Sequence, residues 1–408
     1  GGLLLREVEA QTRIVARLAE QFTDYRDPEA IEHSVLDLVG QRVYALALGY
    51  EDLNDHDRLR LDPLLAAVVG KADPSGADRL NARDKGKALA SSSTLNRLEL
   101  TPADAGADAR YKKIVAQPQG MDRLLVDCFL DAHPTPPASI WIDLDATDDP
   151  LHGNQEGRFF HGYYGHYCYL PLYIFSGADL LCARLRAADI DAAAGSVQEL
   201  TRIVAQIRAR WGQVDITIRG DSGFCRDDIM AWCEANGVHF VLGLAKNARL
   251  LKHLEEAMSE AERQYQQCGE ASRVFDDFTY RTVDSWSQER RVVAKAEHLA
   301  KGANPRFVVT SWPADRADAR TLYEDHYCAR GDMENRIKEQ QLDLFADRTS
   351  THTLRANQIR LYFASFAYVL LCALRRLALP DTEQALRPVR YHPPEAAQDW
   401  CPGPHQRA

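Results

Sequence analysis

Hydrophobic positions change period along this chain. In the first third they recur at helical intervals, as in Val8, Ile14, Val15 and Leu18, and again in Ile31, Val35, Leu36, Leu38 and Val39. A helix with one apolar stripe produces that spacing. Pro63, the Asp73-Pro74-Ser75-Gly76 cluster and Pro102 separate such segments. The pattern predicts an all-helical N-terminal region over 1–137, ending in the stiff His133-Pro134-Thr135-Pro136-Pro137. Beyond it the period shortens to two. Strands are predicted at 139–147, 163–175 and 180–186, then a helix over 197–211, a strand over 214–220, a helix over 224–236 and a strand over 238–244. Three neighbouring strands followed by helix and strand alternation predict an α/β core with a mixed sheet over 138–250. A charged helix and β-like stretches then predict a β-rich insertion over 251–312, and helical periodicity returns over 313–379. From 380 to 408 periodicity is lost among Pro, His, Gln and Trp, which predicts a disordered tail.

The same alternation sorts the acids. In Ile140-Trp141-Ile142-Asp143-Leu144-Asp145 the aliphatic residues share one face, and Asp143 and Asp145 share the other. In Asp215-Ile216-Thr217-Ile218-Arg219-Gly220-Asp221, Ile216 and Ile218 oppose Thr217, Arg219 and Asp221. An acid at the end of a buried strand needs a cation or a metal, because an uncompensated buried charge is too costly. Farther on, Tyr327, Arg330, Glu334, Lys338 and Gln341 are spaced three, four, four and three residues apart. At about 100° per residue they form one stripe on a helix. Arg336, Arg348, Arg355 and Arg360 flank the stripe with cations suited to phosphates. Two strand-end aspartates and a helical glutamate can hold two divalent cations about 4 Å apart. Hard oxygen donors favour Mg²⁺ or Mn²⁺ over zinc.

Composition refines this without redirecting it. The chain has 408 residues, 45% hydrophobic and 26% charged, within the range of ordinary globular proteins. The net charge of −10 excludes a uniformly basic nucleic-acid coat but allows local basic tracks. Nine cysteines without a C-x-x-C pair argue against a disulfide scaffold or a zinc ribbon, so a cytoplasmic, nucleoid-associated location is expected. The apolar run 361–374 ends in Arg375 and Arg376 and reads as a buried helix, so no membrane association is expected. His152, His161 and His166 lack the cysteine partner and tight spacing of a zinc site. Ser93-Thr94-Leu95-Asn96-Arg97 fits a DNA-contacting helix carrying Arg97, and more readily a capped surface helix.

The stretch Tyr327-x2-Arg330-x3-Glu334-x6-Gln341 resembles the Y-x2-R-x3-E-x6-K signature of DDE transposases. Asp145-Ala146-Thr147 looks like their first-aspartate motif, and Asp221 like their second. The wording around Asp143 to Pro150 and Tyr44 to Asp52 is similar to the bacterial insertion-sequence group numbered thirteen-eighty. The resemblance implies a ribonuclease H-like catalytic core with Asp145, Asp221 and Glu334 as catalytic metal ligands, loaded with two Mg²⁺ or Mn²⁺ ions. Asp143 shares the face of Asp145 and is the reserve for it. The resemblance also implies Tyr327 and Arg330 near the scissile DNA. Lys338, Gln341, Arg336 and Arg97 are the further DNA contacts that the stripe, its basic flank and the helix at Arg97 suggest, and a homodimer is expected because two transposon ends must be synapsed. Gln341 departs from the signature lysine and removes one phosphate-pairing charge; Lys338, one turn earlier, is the substitute. The ending beyond 379 also departs from the family. The implied activity is cutting and joining of insertion-sequence ends. The alternatives are a ribonuclease H-like nuclease, which would cut without joining, and a catalytically inactive transposase-derived DNA-binding protein, which would lack metal-dependent cleavage.

Overall fold

A computed structural model describes residues 1–380. Strand β1 (Ser139–Ala146) lies inside the main sheet, third from one edge. It pairs antiparallel with β2 (Leu172–Ser176), which pairs with β3 (Asp179–Arg184). On its other side β1 runs parallel to β4 (Asp215–Gly220), and β4 parallel to β5 (His239–Leu244). Helix α1 (Ser196–Arg210) makes the crossover between β3 and β4, and α2 (Asp227–Ala235) the one between β4 and β5. Parallel neighbours need such crossovers, which explains the alternation seen in the sequence.

One face of this sheet is apolar because the pleat sends alternate residues there. Ile142, Leu144, Ile216 and Ile218 are fully buried against Leu200, Ile203 and Ile207 of α1 and Ile229 and Met230 of α2. Each such side chain contributes about 1.5–3 kcal/mol by leaving water. The opposite face of β1 and β4 carries the polar set, which the fold therefore has to compensate locally.

The segment 251–312 extends the main sheet. Its strands β6 (Ser272–Tyr280), β7 (Arg290–Leu299) and β8 (Arg306–Thr310) join β5 through β8, giving the order β6-β7-β8-β5-β4-β1-β2-β3. Consecutive Val292, Val293 and Ala294 are all buried, so this wing is covered on both faces. The stretch 163–175 is not one strand. Pro171 has no N–H for a ladder. The residues before it, His166–Tyr169, pair instead with Phe159–His161 and Asp149–Pro150 in a small three-stranded sheet.

The N-terminal region is helical except for a ribbon, Phe22–Asp24 paired with Ile114–Ala116, so it is not all-helical. Strands of three residues leave no periodic trace; Phe22, Ile114 and Ala116 are extended because they fill a core shared with the helices. That core centres on α4 (Leu354–Ala378), which packs against the helices Gly2–Thr12 and Val35–Ala47. By length and composition α4 could cross a bilayer. It is a core helix here: Tyr362, Phe363, Phe366 and Tyr368 are buried, and Gln358 bonds the backbone at Ala183 and Leu185. The expected disordered tail falls almost wholly outside the described residues.

Candidate active site

The polar face of β1 and β4 is built in two layers. Asp143 and Arg219 are register partners on the parallel strands and form a buried two-pronged ion pair, with Arg219 Nη2 donating to Asp143 Oδ2 at 2.8 Å. Burial pushes the Asp143 carboxyl up, against the opposing pull of Arg219. Both oxygens of Asp143, the expected reserve for Asp145, are engaged by the Arg219 guanidinium. Arg219 also lies over the Trp141 ring at 5.0 Å and donates to the carbonyl of His326.

One step toward the strand ends lie Asp145 and Asp221. Asp145 is the penultimate residue of β1, and Asp221 follows β4, where its carboxylate accepts the Gly223 N–H at 2.8 Å and shapes the turn. The third acid arrives on α3 (Gly331–Lys338), where Glu334 is exposed. Arg330 joins them, its Nη1 donating to Asp145 Oδ2 at 3.3 Å and its Nη2 to Glu334 Oε1 at 3.2 Å. The Asp145 carboxyl is pushed up to about 6, chiefly by burial; Arg330 opposes the shift, and the charges of Asp221 and Glu334 add to it. Three carboxylates from distant parts of the chain therefore share one electrostatic environment, with a single guanidinium set between two of them.

The backbone that delivers Arg330 is irregular. The sequence stripe predicted one continuous α-helix, whereas Leu322–Tyr327 is a π-helical turn, Cys328–Arg330 a 3₁₀ turn, and only Gly331–Lys338 α-helical. The Cys328 N–H reaches back five residues to the Tyr323 carbonyl. Such widened turns occur often at functional sites. This one leaves the His326 carbonyl to Arg219, and so ties the helical segment to the polar layer of the sheet. Tyr327 follows directly, and its hydroxyl lies over Gly243. A Cβ at Gly243 would meet that hydroxyl and stand 3.0 Å from the Ser222 N and 3.2 Å from the Asp221 carbonyl carbon. Burial holds the Tyr327 phenol above its ordinary range; Arg330 opposes this and Asp221 adds to it.

Several expected DNA contacts are occupied within the fold. Arg336 pairs with buried Glu339 at 3.5 Å. Gln341 donates to the Asp148 carbonyl at 2.9 Å, which fixes the loop after Asp145 rather than leaving an amide for phosphate. Arg360 pairs with fully buried Glu99, Arg348 with Glu51 and Asp52, and Arg355 donates to the Ala116 carbonyl. For Arg336 and Arg360 a buried acid draws the guanidinium inward, a pairing that one-dimensional spacing does not show. Lys338 is exposed, one turn past Glu334, with no ion pair among the described residues. Arg97 is exposed and lies over Tyr111 at 5.5 Å. Alternation in the sequence puts Arg219 on the polar face without showing its pairing with Asp143, and it gives no sign of His326 or Gly243. A signal existed for Arg219: it precedes Asp221 by the two residues that separate Asp143 from Asp145 on the neighbouring parallel strand.

Among the described residues no group of three His, Cys, Asp or Glu side chains converges into a ready-made metal site. The donor chemistry nevertheless suits a hard cation. Asp145, Asp221 and Glu334 offer only oxygens, and their mutual repulsion at Asp145 is the excess of negative charge that a divalent ion relieves.

No curated protein sequence matches the chain. Among solved structures, the piggyBac transposase synaptic complex with hairpin DNA aligns over 96% of this chain and 84% of its own, at 10% identity and a TM-score of 0.39. The family model described as Transposase DDE domain group 1 matches residues 1–390. With that match over nearly its whole length, the chain belongs to the DDE transposase domain family, group 1.

Proposed function

We propose that this transposase cuts and joins the ends of a bacterial insertion sequence, with Asp145, Asp221 and Glu334 as the ligands of two Mg²⁺ or Mn²⁺ ions. The observation that carries the reading is the Arg330 fork, which links Asp145 to Glu334 while Asp221 raises the Asp145 carboxyl from the adjacent strand. We read β3-β2-β1-β4-β5 as a ribonuclease H-like core, because β1 and β4 lie side by side and end in the two aspartates.

When bound, the ions supply Lewis-acid stabilisation of the attacking and leaving oxygens at phosphorus. The protein's own groups supply the rest. Arg330 sits where charge develops on the scissile phosphate and lowers that charge's energy. Tyr327, held against Gly243, positions the DNA strand beside Asp221. Lys338 extends the cationic track along α3. Two copies of the chain bring two ends together, in a protein resident at the nucleoid.

The test uses a supercoiled plasmid carrying the gene with its flanking DNA. Mg²⁺-dependent nicking and joined products are expected, and Asp145→Ala, Asp221→Ala or Glu334→Ala each abolishes both while DNA binding persists. Near-normal cleavage by any one of these variants would show that residue to be misassigned. Cleavage without joined products would reduce the activity to that of a nuclease.

A further inference from the structure

The connection between β1 and β2 contains a feature that the catalytic reading does not use. From Phe159 to Tyr167 the sequence reads Phe-Phe-His-Gly-Tyr-Tyr-Gly-His-Tyr, without one aliphatic or acidic residue, in a chain of net charge −10. It folds as a hairpin with Phe160 opposite Tyr167 and His161 opposite His166. Its rings face water. Tyr163 is 87% exposed, Phe159 50%, Phe160 49% and Tyr167 44%. Phe160 and Tyr167 meet edge to face at 5.6 Å, and the Arg158 guanidinium lies over Tyr167 at 4.4 Å. Exposing so many rings on one short hairpin costs solubility and marks a surface that something covers.

The hairpin is fixed next to the carboxylates. His166 pairs with Asp148 at 2.8 Å, and Gln341 holds the Asp148 carbonyl from the other side. Tyr164 and Ala146, the residue after Asp145, pack against the same small core of Cys168, Leu170 and Ala188. Burial, with the charges of Asp148 and Asp145, pushes the Tyr164 phenol up to about 12. The exposed rings therefore stand at the rim of the acidic site, on a rigid base.

We infer that this hairpin is a stacking platform for unpaired bases of the DNA strand being processed at Asp145, Asp221 and Glu334. The inference rests on the transposase reading above and adds the surface that takes the bases. Aromatic faces accept any base, and a guanidinium stacked on one of them adds a cation for the neighbouring phosphate. An acid-free surface in an acidic chain suits a polyanion, whereas a membrane or an apolar peptide would favour the aliphatic side chains that the hairpin lacks.

The test compares two DNA probes in the absence of divalent metal: a duplex ending in a single-stranded thymidine overhang, and the same duplex with an abasic overhang. The wild-type protein is expected to prefer the thymidine overhang by about tenfold or more, the order that one or two stacked bases provide. The triple variant Phe160→Ala, Tyr163→Ala, Tyr167→Ala is expected to lose that preference while keeping its affinity for blunt duplex and its circular dichroism spectrum. Equal wild-type affinity for the two overhangs, at normal duplex affinity, overturns the platform alone. A variant that keeps the preference does the same. So does a variant whose only change is conversion from dimer to monomer in light scattering, which would make the hairpin an interface between copies. Failure of the wild type to bind any of the duplexes would overturn the transposase reading, and the platform with it.

Discussion

Removing one member of the Asp143–Arg219 pair should hurt this protein far more than removing both. Asp143→Ala leaves the Arg219 guanidinium buried over Trp141 with the His326 carbonyl as its remaining named acceptor. Breaking a buried ion pair from one side costs about 3–5 kcal/mol. At about 2 °C per kcal/mol, the low end for long chains, this is a fall in Tm of roughly 6–10 °C. Arg219→Met should cost a similar amount, because Asp143 already sits in an environment that disfavours its charge. The double variant Asp143→Leu, Arg219→Met replaces the pair by apolar volume and should recover most of the loss. Activity should not recover with it, since the double variant still lacks the tie to His326 that braces the π-helical turn carrying Tyr327 and leading to Arg330. One charged hydrogen bond contributes about 1.5–3 kcal/mol. Expressed at the barrier, that is a roughly ten- to hundredfold slower strand cleavage. Thermal unfolding followed by circular dichroism gives the first quantity and metal-dependent plasmid nicking the second. A double variant as unstable as the worse single variant would refute the compensation. A stable double variant that cleaves like the wild type would refute the brace.

Three further outcomes follow from individual side chains. Asp149 is buried, with Oδ2 unpartnered among the described residues and its carboxyl held well above the usual range by burial and then by the charge of Asp347. A raised acid keeps its proton in the folded state, so stability falls as pH rises above the unfolded value of about 4. Asp149→Asn should therefore have the higher Tm at pH 8, with the gap shrinking toward pH 5; a gap independent of pH would sink the argument. Gly243→Ala should slow cleavage by displacing the Tyr327 hydroxyl, and Tyr327→Phe in the same chain should recover part of the lost stability; equal stability with and without the hydroxyl would place the strain at the Ser222 backbone instead. Arg336→Ala should leave the salt dependence of DNA binding unchanged, because that cation is paired with Glu339, whereas Lys338→Ala should reduce the slope by about one; the reverse result would reassign the two.

The sequence by itself determined which residues face which way. Alternation in 139–146 and 215–220 was enough to put Asp143, Asp145 and Arg219 opposite the isoleucines, because side-chain direction in a strand is a local property. The stripe from Tyr327 to Gln341 was legible for the same reason, although the π-helical turn inside it was not, since a local period cannot report where the backbone widens. Which charges find partners was decided only by the tertiary structure. Asp143 and Asp145 look alike in sequence; one is consumed by Arg219 and the other faces Asp221 and Glu334, because strand register sets which neighbour each one meets. The arginines flanking the stripe likewise turn inward to Glu99, Glu339 and the Ala116 carbonyl. Those partners lie far away or buried in the chain, and the Coulomb and desolvation terms that select them depend on distance in space, which folding alone supplies.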